Sequence, residues 1–209
     1  LGLLSLSKIN LLEKTKPIIP KKWGEAETAT LSFGHGLSIS PIQMVEAASI
    51  LFINNKTFVP TIKKVKNVNE INKTKIISKK TNNILKSLMY ENTIEGTAQR
   101  AKIKGYYIGG KTATGEKVND KGLYDKTKLV SSFLSVFPIN EPKYISLVLF
   151  DEPTLGLKVN QSATGGLTAA PVTANILKKV LPLLGISKNI NIEPKIIIKN
   201  KEKINLVSF

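Results

Sequence analysis

Residues 129–137 and 144–150 are two short apolar runs separated by a segment carrying Pro138, Asn140 and Pro142. Such a pair reads as two strands joined by a tight connection, hence as an antiparallel hairpin. Just ahead of it lies a stretch with Gly96, Gly105, Gly109, Gly110 and Gly115, in which residues 106–114 can run extended. Just behind it, Gly165 and Gly166 precede a helical pattern over residues 170–184, entered at Pro171 and stopped by Gly185. This order does not fit alternating β-α-β units. It predicts an α+β domain, an antiparallel sheet with helices packed on it.

The remaining segments add helices and loops. Ser40 is a natural N-cap and Pro41 suits the first helical position, so residues 42–53 predict a helix ended by Asn54 and Asn55. Residues 1–32 read as mixed, with Pro17, Pro20 and Gly24 marking loop. Residues 58–68 alternate as a strand to which residues 71–77 can pair back, and residues 81–90 predict a helix with Thr81 as its cap. Asn119 to Gly122 is turn chemistry, and residues 187–209 form a Lys-rich tail with a strand-like piece at 196–198. No apolar run approaches the roughly 20 residues of a membrane-spanning helix.

Composition excludes several chemistries. There is no Cys, and His35 is the single histidine, so neither a disulfide framework nor a Cys/His zinc site is available. No metal or cofactor is expected. The net charge of +16 raises the question of nucleic acid, yet of the 31 basic residues Arg100 is the one arginine. Base readout and bidentate phosphate recognition favour Arg over Lys. The heavy use of Lys, Ile and Asn reads instead as a codon bias that spreads Lys over solvated faces. Residues 56–86 carry nine Lys against one Glu and read as a solvated hairpin or loop. No specific nucleic-acid partner is expected.

One motif has two readings. Gly105-Tyr106-Tyr107-Ile108-Gly109-Gly110-Lys111-Thr112 satisfies the G-x-x-x-x-G-K-T pattern of a P-loop NTPase, and Asp151-Glu152-Pro153 after an apolar run looks like a magnesium-binding strand. A P-loop follows a buried strand and opens a helix, whose N-terminus stabilises phosphate. Residues 99–104 are too polar for such a strand, and Gly115, Asn119, Asp120 and Gly122 deny the helix. Read as an extended strand, the same residues place Thr112 and Thr114 on one face and Lys111, Ala113 and Gly115 on the other. Two hydroxyls on one side can hold a carboxylate, a neighbouring ammonium attracts it, and an edge-strand N–H can face a developing oxyanion.

That is the physics of the K-T-G strand of penicillin-binding proteins and serine β-lactamases. Further segments resemble class B penicillin-binding proteins in the family's order: Trp23-Gly24, residues 32–43 (SFGHGLSISPIQ), Glu95-Gly96-Thr97-Ala98, Gly110-Lys111-Thr112, Ser132-Phe133, Asp151-Glu152-Pro153 and Ala169-Ala170-Pro171-Val172. The resemblance runs from about residue 1 to 186 and is strongest to the septal peptidoglycan D,D-transpeptidase type. It implies a β-lactamase/transpeptidase-like fold, here the C-terminal portion of the domain over residues 1–186, with residues 187–209 as a tail. It implies cell-wall cross-linking in septal division, at the periplasmic face of the bacterial inner membrane, with division proteins as partners.

By the same resemblance, Lys111 is the cation of the active-site strand. Thr112 and Thr114, with Gly110 and Ala113 beside them, bind the carboxylate of a D-Ala-D-Ala stem peptide or a β-lactam, and the Thr114 N–H is an oxyanion donor. Ala113 stands where the family has Gly, which predicts altered rather than abolished geometry. The family's S-x-x-K nucleophile and S-x-N precede the segment where this chain begins, so the domain is expected to be incomplete and inactive until joined by that N-terminal part. Ser5-Leu6-Ser7-Lys8 and Ser187-Lys188-Asn189 match those patterns, but neither stands where the family places them. A non-catalytic remnant of the fold is the rival reading beside the P-loop NTPase. His35 reads as a structural loop residue, Trp23 as a packing anchor, and Asp151 with Glu152 as a solvated pair.

Overall fold

The computed structural model describes residues 1–64, 75–155 and 162–188. Its centre is a three-stranded antiparallel sheet in the order β1 (Gly109–Val118), β2 (Tyr124–Phe137), β3 (Tyr144–Asp151). Phe137 pairs with Tyr144 and Val130 with Asp151, so β2 and β3 form the expected hairpin. β1 pairs with β2 as well, Gly109 opposite Val136 and Val118 opposite Tyr124, with a register shift between Glu116 and Lys117. This second hairpin runs further than the sequence indicates, because residues 115–118 and 124–128 are polar and largely exposed and carry no alternation to read.

Helices cover both faces. Phe133 and Phe137 point to the face held by α4 (Ala169–Leu183), where Phe137 meets Ala174, Leu177 and Leu181. Phe133 lies among Ala98, Ala101, Ala169 and Ala170. Val136 points to the opposite face, against Ala48 of α2 (Pro41–Ser49), Phe52 of the π turn Ile50–Asn54, and Leu85 and Met89 of α3 (Lys79–Ile94). The α+β expectation therefore stands, with helices on two sides of the sheet.

The caps follow from local chemistry. Ser40 accepts from the Gln43 N–H, and the Gln43 carboxamide accepts the Ser40 N–H at 3.0 Å, a reciprocal capping box with Pro41 behind it. Gln43 is also buried and donates to the Ser5 carbonyl at 2.7 Å, which ties the N-terminal segment to α2. The Ser40→Ala variant should lose about 1 kcal/mol of stability, read as a lowered urea midpoint. Asn55, at φ 48°, closes the helical run where the sequence placed its end.

Other segments depart from the sequence reading. Ser78 rather than Thr81 caps α3, and Thr81 supplies the N–H that Ser78 accepts at 3.0 Å. Helix α1 (Glu25–Ser32) forms inside the segment read as mixed, directly after the loop mark at Gly24; it buries none of its residues, so apolar periodicity had nothing to report. Residues 58–64 and 75–77 are not strand, and the rest of that expectation, at 65–74, lies outside the described residues, as does the tail from 189. Trp23 is 53% exposed and anchors no core, contrary to expectation. His35 is a structural residue: its N–H donates to the Thr30 carbonyl at 3.0 Å and its ring lies 4.9 Å from that of Tyr124.

Candidate functional site

β1 is an edge strand among the described residues, and glycine brings it close to its neighbours. A Cβ on Gly110 would lie 2.2 Å from the Phe133 ring and 2.7 Å from the Leu134 carbonyl, so only glycine lets Phe133 slide beneath the strand. Thr112 and Thr114 stand opposite Phe133 and Ser131 and share their face, the one toward α4. There they line a cavity of about 470 Å³ with Thr97, Arg100, Thr164 and Gly166. The alternation read from the sequence thus brings the two hydroxyls together.

Their hydrogen bonds decide what each can offer. Thr114 Oγ1 accepts the Gly165 N–H at 3.1 Å, which leaves its own proton free for the cavity. Thr112 Oγ1 lies 2.7 Å from Thr97 Oγ1. Along the free edge of β1, the carbonyls of Ile108, Gly110 and Thr112 accept from Thr93 Oγ1, Asn92 Nδ2 and Lys111 Nζ, each at 2.7 Å. In an antiparallel ladder the N–H and C=O of one residue face the same side and alternate along the strand. Thr114, two residues after Thr112, therefore turns its N–H to this same free edge.

The remaining candidates fall around this pair. Lys111 is exposed and does not line the cavity; its ammonium curls to the edge and holds the Thr112 carbonyl. Gly110 is buried within β1, and Ala113 is exposed on the face opposite to Thr112 and Thr114, so its methyl points away from the cavity. Gly115 has open space where a Cβ would stand.

Residues 105–112 do not make a P-loop, because Gly109–Val118 is a strand and no helix N-terminus follows Lys111-Thr112. Ser5 and Lys8 lie on no helix, so Lys8 is not one turn from Ser5, and neither lines the cavity. Ser187 lies beyond α4 at a different depression, and Asn189 is outside the described residues. Asp151 and Glu152 both accept from Lys117, at 3.1 and 2.7 Å, and these bonds, Glu152's first, raise the Lys117 pKa above its ordinary value. They are a surface pair, as expected.

Four residues escaped the sequence reading of the site. Thr97 was legible only as part of a motif and Arg100 only as the lone arginine. Asn92 lies on α3, and Thr164 follows the strand pair by a long connection. A guanidinium in the cavity wall adds a charge suited to an anion, a role that no local pattern around Arg100 signals.

An antiparallel sheet covered on both faces, with a hydroxyl pair on its edge strand turned into one cavity, is the layout of a transpeptidase domain. The chain belongs to that family: residues 4–178 match the penicillin binding protein transpeptidase domain. It is 32% identical over 196 residues to the probable peptidoglycan D,D-transpeptidase FtsI of Caulobacter vibrioides (strain NA1000 / CB15N), an alignment covering 90% of this chain and 33% of that protein. It is 34% identical over 178 residues to stage V sporulation protein D of Bacillus subtilis (strain 168), covering 80% of this chain and 27% of that one. The solved transpeptidase domain of penicillin-binding protein 3 from Burkholderia pseudomallei superposes with a TM-score of 0.76 at 27% identity, covering 93% of this chain and 56% of that one. The chain thus spans about a third or less of these two curated relatives.

Proposed function

We propose that this chain carries the carboxylate-binding edge strand of a serine-type peptidoglycan D,D-transpeptidase acting in septal cross-linking. The single observation that carries the reading is the Thr112–Thr114 pair in one cavity beside a free strand edge. A terminal carboxylate of a D-Ala-D-Ala stem peptide, or of a β-lactam, accepts from both hydroxyls, with Arg100 and Lys111 adding positive potential. In this proposal the Thr114 N–H stabilises the oxyanion that forms when a serine attacks the neighbouring carbonyl. Gly110 and Ala113 contribute backbone on either side. The D,D-transpeptidase name of the Caulobacter relative and the matched solved domain support this reading.

Among the described residues the cavity wall contains no serine, and in this reading the acyl-forming Ser and its Lys come from residues outside the chain. The domain portion ends near residue 186, and the whole works at the periplasmic face of the inner membrane with division proteins. Among the described residues no helix is long and apolar enough to cross a membrane.

Fluorescent penicillin tests the proposal. The full-length protein should be labelled covalently, and this chain alone should not. The Thr112→Val/Thr114→Val double variant should slow labelling about 100-fold, one order for each lost charge-assisted bond. Labelling of the full-length protein that ignores both substitutions would remove the threonines from the site. No labelling at all would favour a non-catalytic remnant of the fold.

A further inference from the structure

Asn92, near the C-terminal end of α3, joins three parts of the site. Its Nδ2 donates to the Gly110 carbonyl at 2.7 Å; its Oδ1 accepts the Thr97 N–H at 3.2 Å and the Thr97 hydroxyl at 3.3 Å; its own carbonyl accepts the Ala98 N–H at 3.2 Å. The turn that brings Thr97 back over Asn92 requires glycine at position 96, where a Cβ would stand 2.3 Å from Asn92 Oδ1 and 2.8 Å from its Cα. This turn carries Thr97 Oγ1 to 2.7 Å from Thr112 Oγ1. Because Nδ2 is committed to β1, the amide end facing Thr97 is its oxygen, which only accepts.

The proton count along this chain has a consequence. Thr97 has one hydroxyl proton and two acceptors within reach, Asn92 Oδ1 and Thr112 Oγ1. When that proton goes to Asn92, Thr112 donates to Thr97 and shows the cavity only lone pairs, which repel an anion. When it goes to Thr112, the Thr112 proton is free to meet an anion. Asn92 Oδ1 is satisfied either way, because the Thr97 N–H stays with it.

We propose that Thr97 is a positioning residue for carboxylate recognition. As an anionic ligand arrives, the Thr97 hydroxyl rotates from Asn92 Oδ1 to Thr112 Oγ1, and Thr112 rotates its own proton onto the carboxylate. No proton changes owner and no covalent bond breaks. The donated bond polarises the Thr112 hydroxyl and holds its rotamer, so two linked bonds strengthen each other. The idea rests on the carboxylate reading of Thr112 proposed above.

Its test uses the full-length protein, benzylpenicillin and benzylpenicillin methyl ester, with second-order acylation rates as the readout. The wild type should prefer the acid. Thr97→Val should lower the acid rate about 10-fold while leaving the ester rate within about twofold, and Thr97→Ser should restore the acid rate. Equal losses for acid and ester, or an acid rate unchanged or increased in Thr97→Val, would overturn the role. A wild type indifferent to the ester would defeat the carboxylate reading itself, and Thr97 is then judged by the Thr112 side chain. Scalar couplings in threonine-labelled protein should show one χ1 rotamer in the wild type and in Thr97→Ser, and averaging in Thr97→Val. A single rotamer in all three would overturn the positioning role. Thr97→Ala replaces the valine variant should that one fail to fold.

Discussion

Replacing Gly165 by alanine is expected to remove about 3 kcal/mol of stability, the upper part of the range for forcing atoms into a filled space. A Cβ at 165 would lie 2.4 Å from the Ser132 carbonyl oxygen and 2.6 Å from that of Ala113. Both obstacles are backbone of the sheet, so neither can rotate away as a side chain would. The approach to α4 must lift off the sheet, and the Gly165 N–H that Thr114 accepts goes with it. Gly115→Ala is the matched control: it sits in the same strand system with open space around it, and should be neutral or stabilising by about 0.5 kcal/mol through a less flexible unfolded chain. Urea midpoints of the two variants measure the contrast. Equal shifts would mean that the close contact at Gly165 does not constrain the fold.

The second large effect is expected at Phe133. Phe133→Ala should cost about 3 to 5 kcal/mol, the usual measure for a buried aromatic ring. The ring lies among buried Ala98, Ala101, Ala169 and Ala170, whose methyls are too short to fill the void, with partly buried Val148 and Phe150 packed against the cluster. The same ring is the nearest obstacle to a Cβ on Gly110, so the two positions are coupled. Gly110→Ala alone should be strongly destabilising, whereas its added cost in a Phe133→Ala background should fall by 1 kcal/mol or roughly more. It will not vanish, because the Leu134 carbonyl also stands 2.7 Å away. A thermal or urea double-mutant cycle measures this; strict additivity would mean that ring and glycine do not share the space.

How far the molecule could be read from its residues depended on whether the signal was local. The β2–β3 hairpin was legible because two short apolar runs flank a proline-marked turn. The threonine pair was legible for a related reason: a strand of period two puts residues 112 and 114 on one face whatever covers it. Helix α1 was not, since a helix with no buried face leaves no period in EAETATLS. Nor were Asn92, which bonds the Gly110 carbonyl of β1, and Thr97, which reaches Thr112 only because a glycine turn folds the chain back at the end of α3. Arg100 gave no local signal either; a single arginine among lysines says nothing of which cavity it borders.

The outer edge of β3 is unpaired by any strand among the described residues, and along Tyr144–Asp151 it carries no lysine, proline or bulge, the usual means of blunting such an edge. Bare ladder groups of this kind cohere with those of a second copy, and the force that keeps copies apart is the mutual repulsion of molecules bearing +16. Salt weakens that repulsion, since the screening length shrinks from about 10 Å at 0.1 M to about 3 Å at 1 M. The lysine excess thus acts as a colloidal stabiliser, and the chain purified by itself will keep best in dilute buffer and clump in brine.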